Sequence, residues 1–286
     1  MRAEEALAVL LGRVNFDEFT KIRIYHIIKN GIDWYNFLNV CIRNKTVCLT
    51  YKSLQLLDLL PLLPTIIKNN MEYHYKYNCK QNNYFLKASE PIISYFEKNG
   101  IMATPVKGLR FLKTIYSGDP GVRILSDIDF IASNGDKSDI HTFMIQSGFK
   151  TYLINNTDSL CSINSSVKSY FFIKIENNEF QDKLRFDFEF SYTNDLINHI
   201  RESKNPLYEF LYLCQNYFLD MHLNSNPPSG EKYNYMKLLD LHEYYVKYLT
   251  NISINEINEI SSRLHLNEEF EYTIKCLRKL YTDIAI

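Results

Sequence analysis

Two aspartates, Asp127 and Asp129, lie two residues apart inside an apolar run that extends over residues 124–132. Because successive side chains of a β-strand point to opposite faces, a strand here places both carboxylates on one face and Ile128 and Phe130 on the other. Two like charges side by side repel each other, and a divalent cation between them reverses the sign of the interaction. The alternative is a solvated strand face that simply carries two acids.

A glycine turn precedes this strand. Residues 101–106 have the composition of a short strand, Lys107 and Gly108 follow, and a helical pattern runs through residues 109–116. At a strand-to-helix turn, glycine lets backbone N–H groups approach a phosphate at the helix N-terminus, where the helix dipole favours anions. The alternative is that Gly108 only permits the tight turn.

A second acidic strand is predicted over residues 184–191 from a strict alternation of aromatic and charged residues. The aromatic residues are expected to be buried and the charged ones to lie on the outer face: Phe186, Phe188 and Phe190 against Arg185, Asp187 and Glu189. A third carboxylate beside the Asp-x-Asp strand completes the ligand set of a two-metal site for phosphoryl or nucleotidyl transfer.

These motifs together resemble the polymerase-β nucleotidyltransferase superfamily. Within it, the sequence resembles the uncharacterised nucleotidyltransferase family, whose signature reads Leu-Lys-Gly, a helix, and then Arg-x-x-Ser/Thr-Asp-Ile-Asp. The corresponding residues of this sequence are Lys107, Gly108, Arg123, Ser126, Asp127 and Asp129. The resemblance covers residues 95–245, because the segment Lys237-Leu-Leu-Asp240-Leu is similar to a late Arg-Leu-Leu-Asp-Ile helix of the family.

The resemblance implies a small mixed β-sheet core of the α+β class that binds Mg²⁺ and a nucleoside triphosphate. It implies that two Mg²⁺ ions are held by Asp127, Asp129 and Asp187, and that Asp187 helps to deprotonate the acceptor. By the same resemblance, the residues expected to contact the nucleotide are Lys107, Gly108, Arg123 and Ser126. The residues expected to support the metal ligands from outside are Glu189 and Asp240.

The sequence departs from the wider pattern at two places. Leu109 follows Gly108, where the superfamily commonly has serine or glycine, so no hydroxyl is available there for a phosphate; the narrower family shares this departure. The third-acid block reads Asp-Phe-Glu-Phe over residues 187–190, where the narrower family tends to read Asp-Leu-His-Trp. The third carboxylate is therefore either Asp187 or Glu189, and we favour Asp187.

Arg123 lies at the entrance to the Asp-x-Asp strand, after a turn-forming cluster at residues 117–121. Arginine forms paired hydrogen bonds with phosphates and with carboxylates, so Arg123 is expected to contact a phosphate or to brace the carboxylates of the site. The alternative is a surface arginine that pairs with Asp119.

The hydrophobic pattern divides the chain into three regions. Residues 1–98 form an N-terminal helical region, residues 99–192 alternate strands with helices and form the nucleotidyltransferase core, and residues 193–286 form a C-terminal helical domain. A helix over residues 136–147 is expected to end at Gly148. Besides the Asp-x-Asp strand, strands of the core are predicted over residues 101–106, 149–154, 167–176 and 184–191.

Composition argues against several classes of protein. Thirty-two basic and 33 acidic residues leave a net charge of −1, which argues against a template-dependent polymerase. The six cysteines contain no C-x-x-C pair, so a zinc site has little support. Without an N-terminal signal peptide, we expect a cytoplasmic protein whose thiols are reduced and mostly buried. The apolar run at residues 54–67 contains Asp58 and two prolines, so we expect no membrane span.

The function predicted from the sequence is Mg²⁺-dependent transfer of a nucleoside monophosphate, AMP from ATP, to a small-molecule or peptide acceptor with release of pyrophosphate. Two alternatives stay open: a toxin-like nucleotidyltransferase that modifies tRNA or protein, and a nucleotide-binding module that has lost turnover. A basic surface groove would favour tRNA as the acceptor. Failure to bind Mg²⁺ and ATP would favour the inactive module.

Overall fold

The computed structural model describes residues 2–154, 168–175, 183–192, 194–223 and 234–281. These residues form helices and a five-stranded mixed sheet, which is the predicted α+β class. They make two compact units, termed here the helical unit (Met1–Lys80, Leu112–Ile124 and Phe210–Ile286) and the sheet unit (Gln81–Phe111 and Leu125–Glu209). The division into three domains at residues 98/99 and 192/193 stays a prediction.

The described residues contain twelve α-helices: α1 Ala3–Leu11, α2 Glu18–Lys29, α3 Trp34–Arg43, α4 Val47–Leu56, α5 Thr65–Lys98, α6 Lys107–Thr114, α7 Lys137–Gln146, α8 Asn194–Arg201, α9 Pro206–Leu223, α10 Tyr235–Tyr248, α11 Ile254–Arg263 and α12 Asn267–Leu280. The helix predicted over residues 136–147 is α7, and Gly148 follows it with φ of +86°, the left-handed conformation in which glycine ends helices. Among these helices, none has the length and apolar character needed to cross a membrane.

The helical unit has a core made by its N-terminal helices. Leu7 of α1, Phe37 of α3 and Leu54 of α4 have no exposed surface and belong to one apolar cluster. Asp17 starts α2 by accepting a hydrogen bond of 2.6 Å from the Thr20 backbone N–H, which satisfies one of the donors that a helix start leaves free. The prediction that residues 1–98 are mainly helical is confirmed for the described residues.

The cysteines behave as apolar core residues. Burial raises the pKa of Cys41 and of Cys48 to about 12, so both thiols stay protonated at neutral pH. The prediction that the thiols are mostly buried is confirmed for the described cysteines, whereas Cys161 lies outside the described residues. The free cysteines of the described residues are Cys41, Cys48, Cys79, Cys214 and Cys276.

A turn that follows α6 is held against α5 within the helical unit. The Tyr75 hydroxyl donates to Asp119 at 2.8 Å, and the Asn78 amide donates to the Gly121 carbonyl, also at 2.8 Å. A Cβ atom at Gly121 would lie 2.5 Å from Cys79 Sγ and closer still to the Tyr75 ring. Because the Tyr75 ring is fixed by its hydrogen bond, the turn has no room for a side chain at Gly121.

We expect Gly121→Ala to lower the free energy of unfolding by about 1–3 kcal/mol, the usual cost of overpacking a filled interior. Urea unfolding followed by circular dichroism measures the change. Gly135→Ala is the control, because its Cβ would lie at an ordinary 3.6 Å from Ser133 Oγ. Equal losses in the two variants would contradict the steric explanation.

The sheet unit contains strands in the order β1-β2-β5-β4-β3. Strands β2 and β5 run parallel, and the other neighbouring pairs run antiparallel. All five predicted strands are confirmed in the described residues, but β2 begins at Ile128, so Asp127 lies in the bend just before it. The strands are β1 Ala103–Pro105, β2 Ile128–Ser133, β3 Lys150–Ile154, β4 Lys168–Ile175 and β5 Lys183–Tyr192.

One face of β5 is aromatic and buried, as its alternation predicts. Phe186, Phe188 and Phe190 are each at most 2% exposed. Phe130 of β2 stacks on Phe188 with ring centroids 5.0 Å apart, and Phe96 of α5 packs edge-on against Phe130 at 5.9 Å. Because this face is filled, the residues that alternate with the phenylalanines lie on the opposite face, termed here the charged face.

Candidate active site

The parallel pair of strands brings the predicted carboxylates together in the sheet unit. Asp129 of β2 lies directly opposite Asp187 of β5 in the register of the two strands. Asp127 lies in the bend one residue before β2, and all three side chains are half-buried. The sheet therefore brings Asp187 beside two acids that lie far from it in the sequence.

Burial and mutual repulsion make two of these carboxyls harder to ionise. The pKa of Asp187 is raised to about 6, first by burial and also by the charges of Asp127 and Asp129, against the lowering effect of Arg185. The pKa of Asp127 is raised by burial and by the charge of Asp129. Additional positive charge at this position would stabilise the ionised carboxylates.

Lys107 supplies one positive charge from the strand-to-helix turn. Its ammonium lies 3.0 Å from Asp129 Oδ1 and 2.7 Å from Glu189 Oε1. Burial lowers the pKa of Lys107, but these two carboxylates outweigh burial and raise it, so the ammonium stays charged. The backbone of Lys107 has φ of +53°, the left-handed region that residues with a Cβ rarely adopt. Unfavourable backbone geometry of this kind is concentrated at functional sites.

Arg185 supplies a second positive charge that the sequence motifs do not indicate. Its guanidinium contacts both oxygens of Asp187, with Nε–Oδ1 and Nη2–Oδ2 distances of 2.6 Å. It also lies over the Phe171 ring, 4.6 Å from the centroid. The alternation that places Asp187 and Glu189 on the charged face places Arg185 there too. The position of Arg185 near the carboxylates could therefore be predicted from the strand pattern.

Gly108 and Ser126 also lie in the sheet unit. Gly108 is the second residue of α6 and is buried. Ser126 is exposed, and its hydroxyl donates to Asp127 Oδ1 at 3.1 Å. The contacts predicted between these residues and a nucleotide stay predictions.

Arg123 and Asp240 contact each other within the helical unit. Arg123 Nε lies 3.1 Å and 3.0 Å from the two oxygens of Asp240, and Nη2 donates to Oδ2 at 2.7 Å. The Tyr116 hydroxyl donates to the same carboxylate at 2.6 Å. Asp119, considered as an alternative partner of Arg123, accepts a hydrogen bond from Tyr75. The phosphate contact of Arg123 stays a prediction, as does the support of metal ligands by Asp240.

The residues of the charged face fit a hard divalent cation in chemistry, since carboxylate oxygens are its preferred ligands. In their present arrangement they are neutralised from within the chain, Asp129 by Lys107 and Asp187 by Arg185. In the described part of the chain, no group of three or more His, Cys, Asp or Glu side chains is arranged to hold a metal ion. A cation held by Asp129 or Asp187 would have to share these carboxylates with Lys107 or Arg185.

A family model for uncharacterised nucleotidyltransferases matches residues 30–282. The matched range covers most of the 286 residues and includes the Lys107 turn and all the carboxylates of the charged face. Comparisons with curated proteins and with solved structures found no match. A family match of this extent goes well beyond one shared motif, and the chain belongs to the uncharacterised nucleotidyltransferase family.

Proposed function

We propose that the protein transfers AMP from ATP to an acceptor and releases pyrophosphate. The observation that supports this proposal is the placement of Asp129 opposite Asp187 on two parallel strands, with Asp127 one residue before the first strand. Membership of a nucleotidyltransferase family supports transfer of a nucleotidyl group in general. ATP as the donor and Mg²⁺ as the metal are the specific parts of the proposal.

The charged face carries the residues proposed to bind the triphosphate together with its metal. Asp127, Asp129 and Asp187 are the residues that would hold Mg²⁺, two ions by the family resemblance, and the metal would neutralise phosphate charge. Lys107 is the first residue of α6, so its ammonium and the helix N-terminus favour an anion at the same turn. Ser126 would add a hydroxyl beside Asp127.

In the proposed reaction, an acceptor oxygen or nitrogen forms a bond to the α-phosphorus of ATP. The bond between that phosphorus and the oxygen bridging to the β-phosphorus breaks, and pyrophosphate leaves with the electron pair. Asp187 would take the acceptor proton, the role that the family resemblance implies for the third carboxylate. The remaining contribution of the protein is to position the reactants and stabilise charge.

For the acceptor, we propose a hydroxyl, carboxylate or amine of a small molecule or peptide. The net charge of −1 supports this class over tRNA, whose phosphates are bound through clustered basic residues. One observation favours the inactive nucleotide-binding module instead, namely that Lys107 and Arg185 already neutralise two of the acids. A test of turnover therefore has to accompany a test of binding.

Calorimetric titration with a non-hydrolysable ATP analogue tests the proposed donor and metal. We expect binding that requires Mg²⁺ and disappears when EDTA is added. Binding that is equally strong without a divalent cation would contradict the metal role, and no binding by the folded protein would contradict ATP as the donor. Release of pyrophosphate from ATP in the presence of candidate acceptors then distinguishes a transferase from a binding module.

A further inference from the structure

The contact between Arg185 and Asp187 uses both oxygens of the carboxylate on which the proposed chemistry depends. The two nitrogen–oxygen distances are 2.6 Å, and guanidinium–carboxylate pairs of this two-point kind are among the strongest side-chain contacts. A metal ion bound to Asp187 needs at least one of the same oxygens. A metal ion there would lie close to the guanidinium, and because the two positive charges repel each other, binding of one to Asp187 disfavours binding of the other.

We propose that Arg185 is a positioning residue that acts as a latch: it keeps Asp187 in an ion pair until a phosphate group of the nucleotide takes over the guanidinium. Metal binding at Asp187 then depends on prior or simultaneous binding of the nucleotide. The inference rests on the nucleotide-binding function proposed above. It adds a role for Arg185, which the family motif does not contain.

The surroundings of Arg185 allow the guanidinium to change partner without leaving its place. The ring of Phe171, which lies opposite Asp187 on β4, packs against the guanidinium in a cation–π contact. A cation over an aromatic face is held by the ring quadrupole independently of the carboxylate. The arginine side chain is also 36% exposed, so a phosphate arriving from solvent can reach it.

Lys107 is less suited to exchange partners in this way. Its side chain is only 14% exposed, and its ammonium bridges Asp129 and Glu189 on two different strands. The ion pairs of a buried ammonium replace the hydration that it has lost. Moving Lys107 away from two carboxylates therefore costs more free energy than moving the partly exposed Arg185 guanidinium away from one. Of these two cations on the charged face, Arg185 is the one placed to respond to a nucleotide.

The balance of charge on this face also supports the proposed role of Arg185. Around Asp187, the charged face carries the acids Asp127, Asp129 and Glu189 and the bases Lys107 and Arg185. Removing Arg185 frees the oxygens of Asp187 and adds one unit of negative charge to the face. Both effects increase the affinity for a divalent cation in the absence of nucleotide.

The test measures Mn²⁺ binding to the full chain by electron paramagnetic resonance, with and without a non-hydrolysable ATP analogue. In the wild type, we expect the analogue to tighten Mn²⁺ binding by about tenfold, a common size for coupling between two ligands. In Arg185→Gln, we expect Mn²⁺ to bind about tenfold more tightly without nucleotide, so that the analogue adds little. Arg185→Lys, which keeps the charge but loses the two-point contact, is expected to fall between the two.

Arg201→Gln is the matched control, because it removes an arginine from an exposed pair with Glu202 at 3.6 Å in the same unit. We expect its Mn²⁺ affinity to equal that of the wild type. Unchanged or weaker Mn²⁺ binding by folded Arg185→Gln, with normal binding by the wild type in the presence of the analogue, would overturn the latch alone. Absence of Mn²⁺ binding to the wild type with the analogue would overturn the latch and the proposed metal site together.

Thermal melting followed by circular dichroism identifies variants that do not fold. If Arg185→Gln unfolds, Phe171→Leu provides the second test, because it removes the ring under the guanidinium and leaves Asp187 intact. A weakened latch predicts tighter Mn²⁺ binding without nucleotide in this variant too. Wild-type Mn²⁺ affinity in folded Phe171→Leu and folded Arg185→Lys would overturn the proposal.

Discussion

Replacing Asp127 and Asp129 together with asparagine is expected to weaken Mg²⁺-dependent binding of a non-hydrolysable ATP analogue by at least about 100-fold. Each substitution removes a charged ligand, and interactions with a charged partner contribute about 1.5–3 kcal/mol. Two such losses amount to at least about 3 kcal/mol, and 1.4 kcal/mol corresponds to a factor of ten in affinity. Isothermal titration calorimetry measures the difference directly.

Asp139→Asn is the control for this experiment, because Asp139 is an exposed acid on α7 in the same unit. Its substitution changes the charge of the unit without touching the charged face, and we expect affinity within a factor of two. The double variant removes two charges that repel each other and leaves Lys107 its ion pair with Glu189, so it is expected to stay folded. Wild-type affinity in a folded double variant would exclude these two aspartates as the metal ligands.

Replacing Asp240 with alanine is expected to lower the free energy of unfolding by about 3–5 kcal/mol, the cost of leaving one partner of a buried ion pair uncompensated. Asp240 is 4% exposed and binds Arg123 through three nitrogen–oxygen contacts of 2.7–3.1 Å. Burial and the charge of Asp240 raise the pKa of Tyr116, so its hydroxyl stays protonated and donates to Asp240 in the wild type. In the alanine variant this hydroxyl loses its acceptor. Chemical denaturation followed by tyrosine fluorescence measures the loss.

Two further variants make the explanation specific. Asp220→Ala breaks a half-exposed pair with Lys237 in the same helical unit, and we expect a loss below about 1 kcal/mol. The double variant Arg123→Met/Asp240→Leu removes both buried charges, and we expect it to be more stable than Asp240→Ala. If Asp240→Ala differed from the wild type no more than Asp220→Ala does, the buried carboxylate would have no structural role.

The strands and the charged face could be predicted because side chains of a strand alternate between its two faces, and this alternation is visible in the sequence as alternating apolar and polar residues. The phenylalanines of β5 specify which side is buried, and this fixes the side on which Asp187 and Glu189 lie. The prediction placed Asp127 within the strand, whereas β2 begins at Ile128, because the hydrophobic pattern does not show where strand hydrogen bonding begins.

The partners of the charged side chains could not be predicted in the same way. Arg123 and Asp240 lie more than a hundred residues apart, and no local pattern indicates that a turn and a helix of the helical unit meet there. The Lys107 ammonium lies between Asp129 and Glu189 on two strands, a pairing that no local pattern indicates, and its contact with a triphosphate stays a prediction. Local sequence specifies which face a residue lies on, and tertiary packing selects its partner.

The parallel pairing of β2 with β5 also has a consequence for how the protein acquires its site. Strands β1 and β2 are consecutive in the chain, whereas β5 joins β2 only after the chain has passed through β3 and β4. Contacts between distant residues form late and slowly, so a growing or partly unfolded chain carries Asp129 without Asp187 beside it. A nucleotide that binds only the paired strands, as proposed for ATP, would stabilise the sheet unit by RT ln(1 + L/Kd), where L is the nucleotide concentration, so the stabilisation would grow with the logarithm of that concentration.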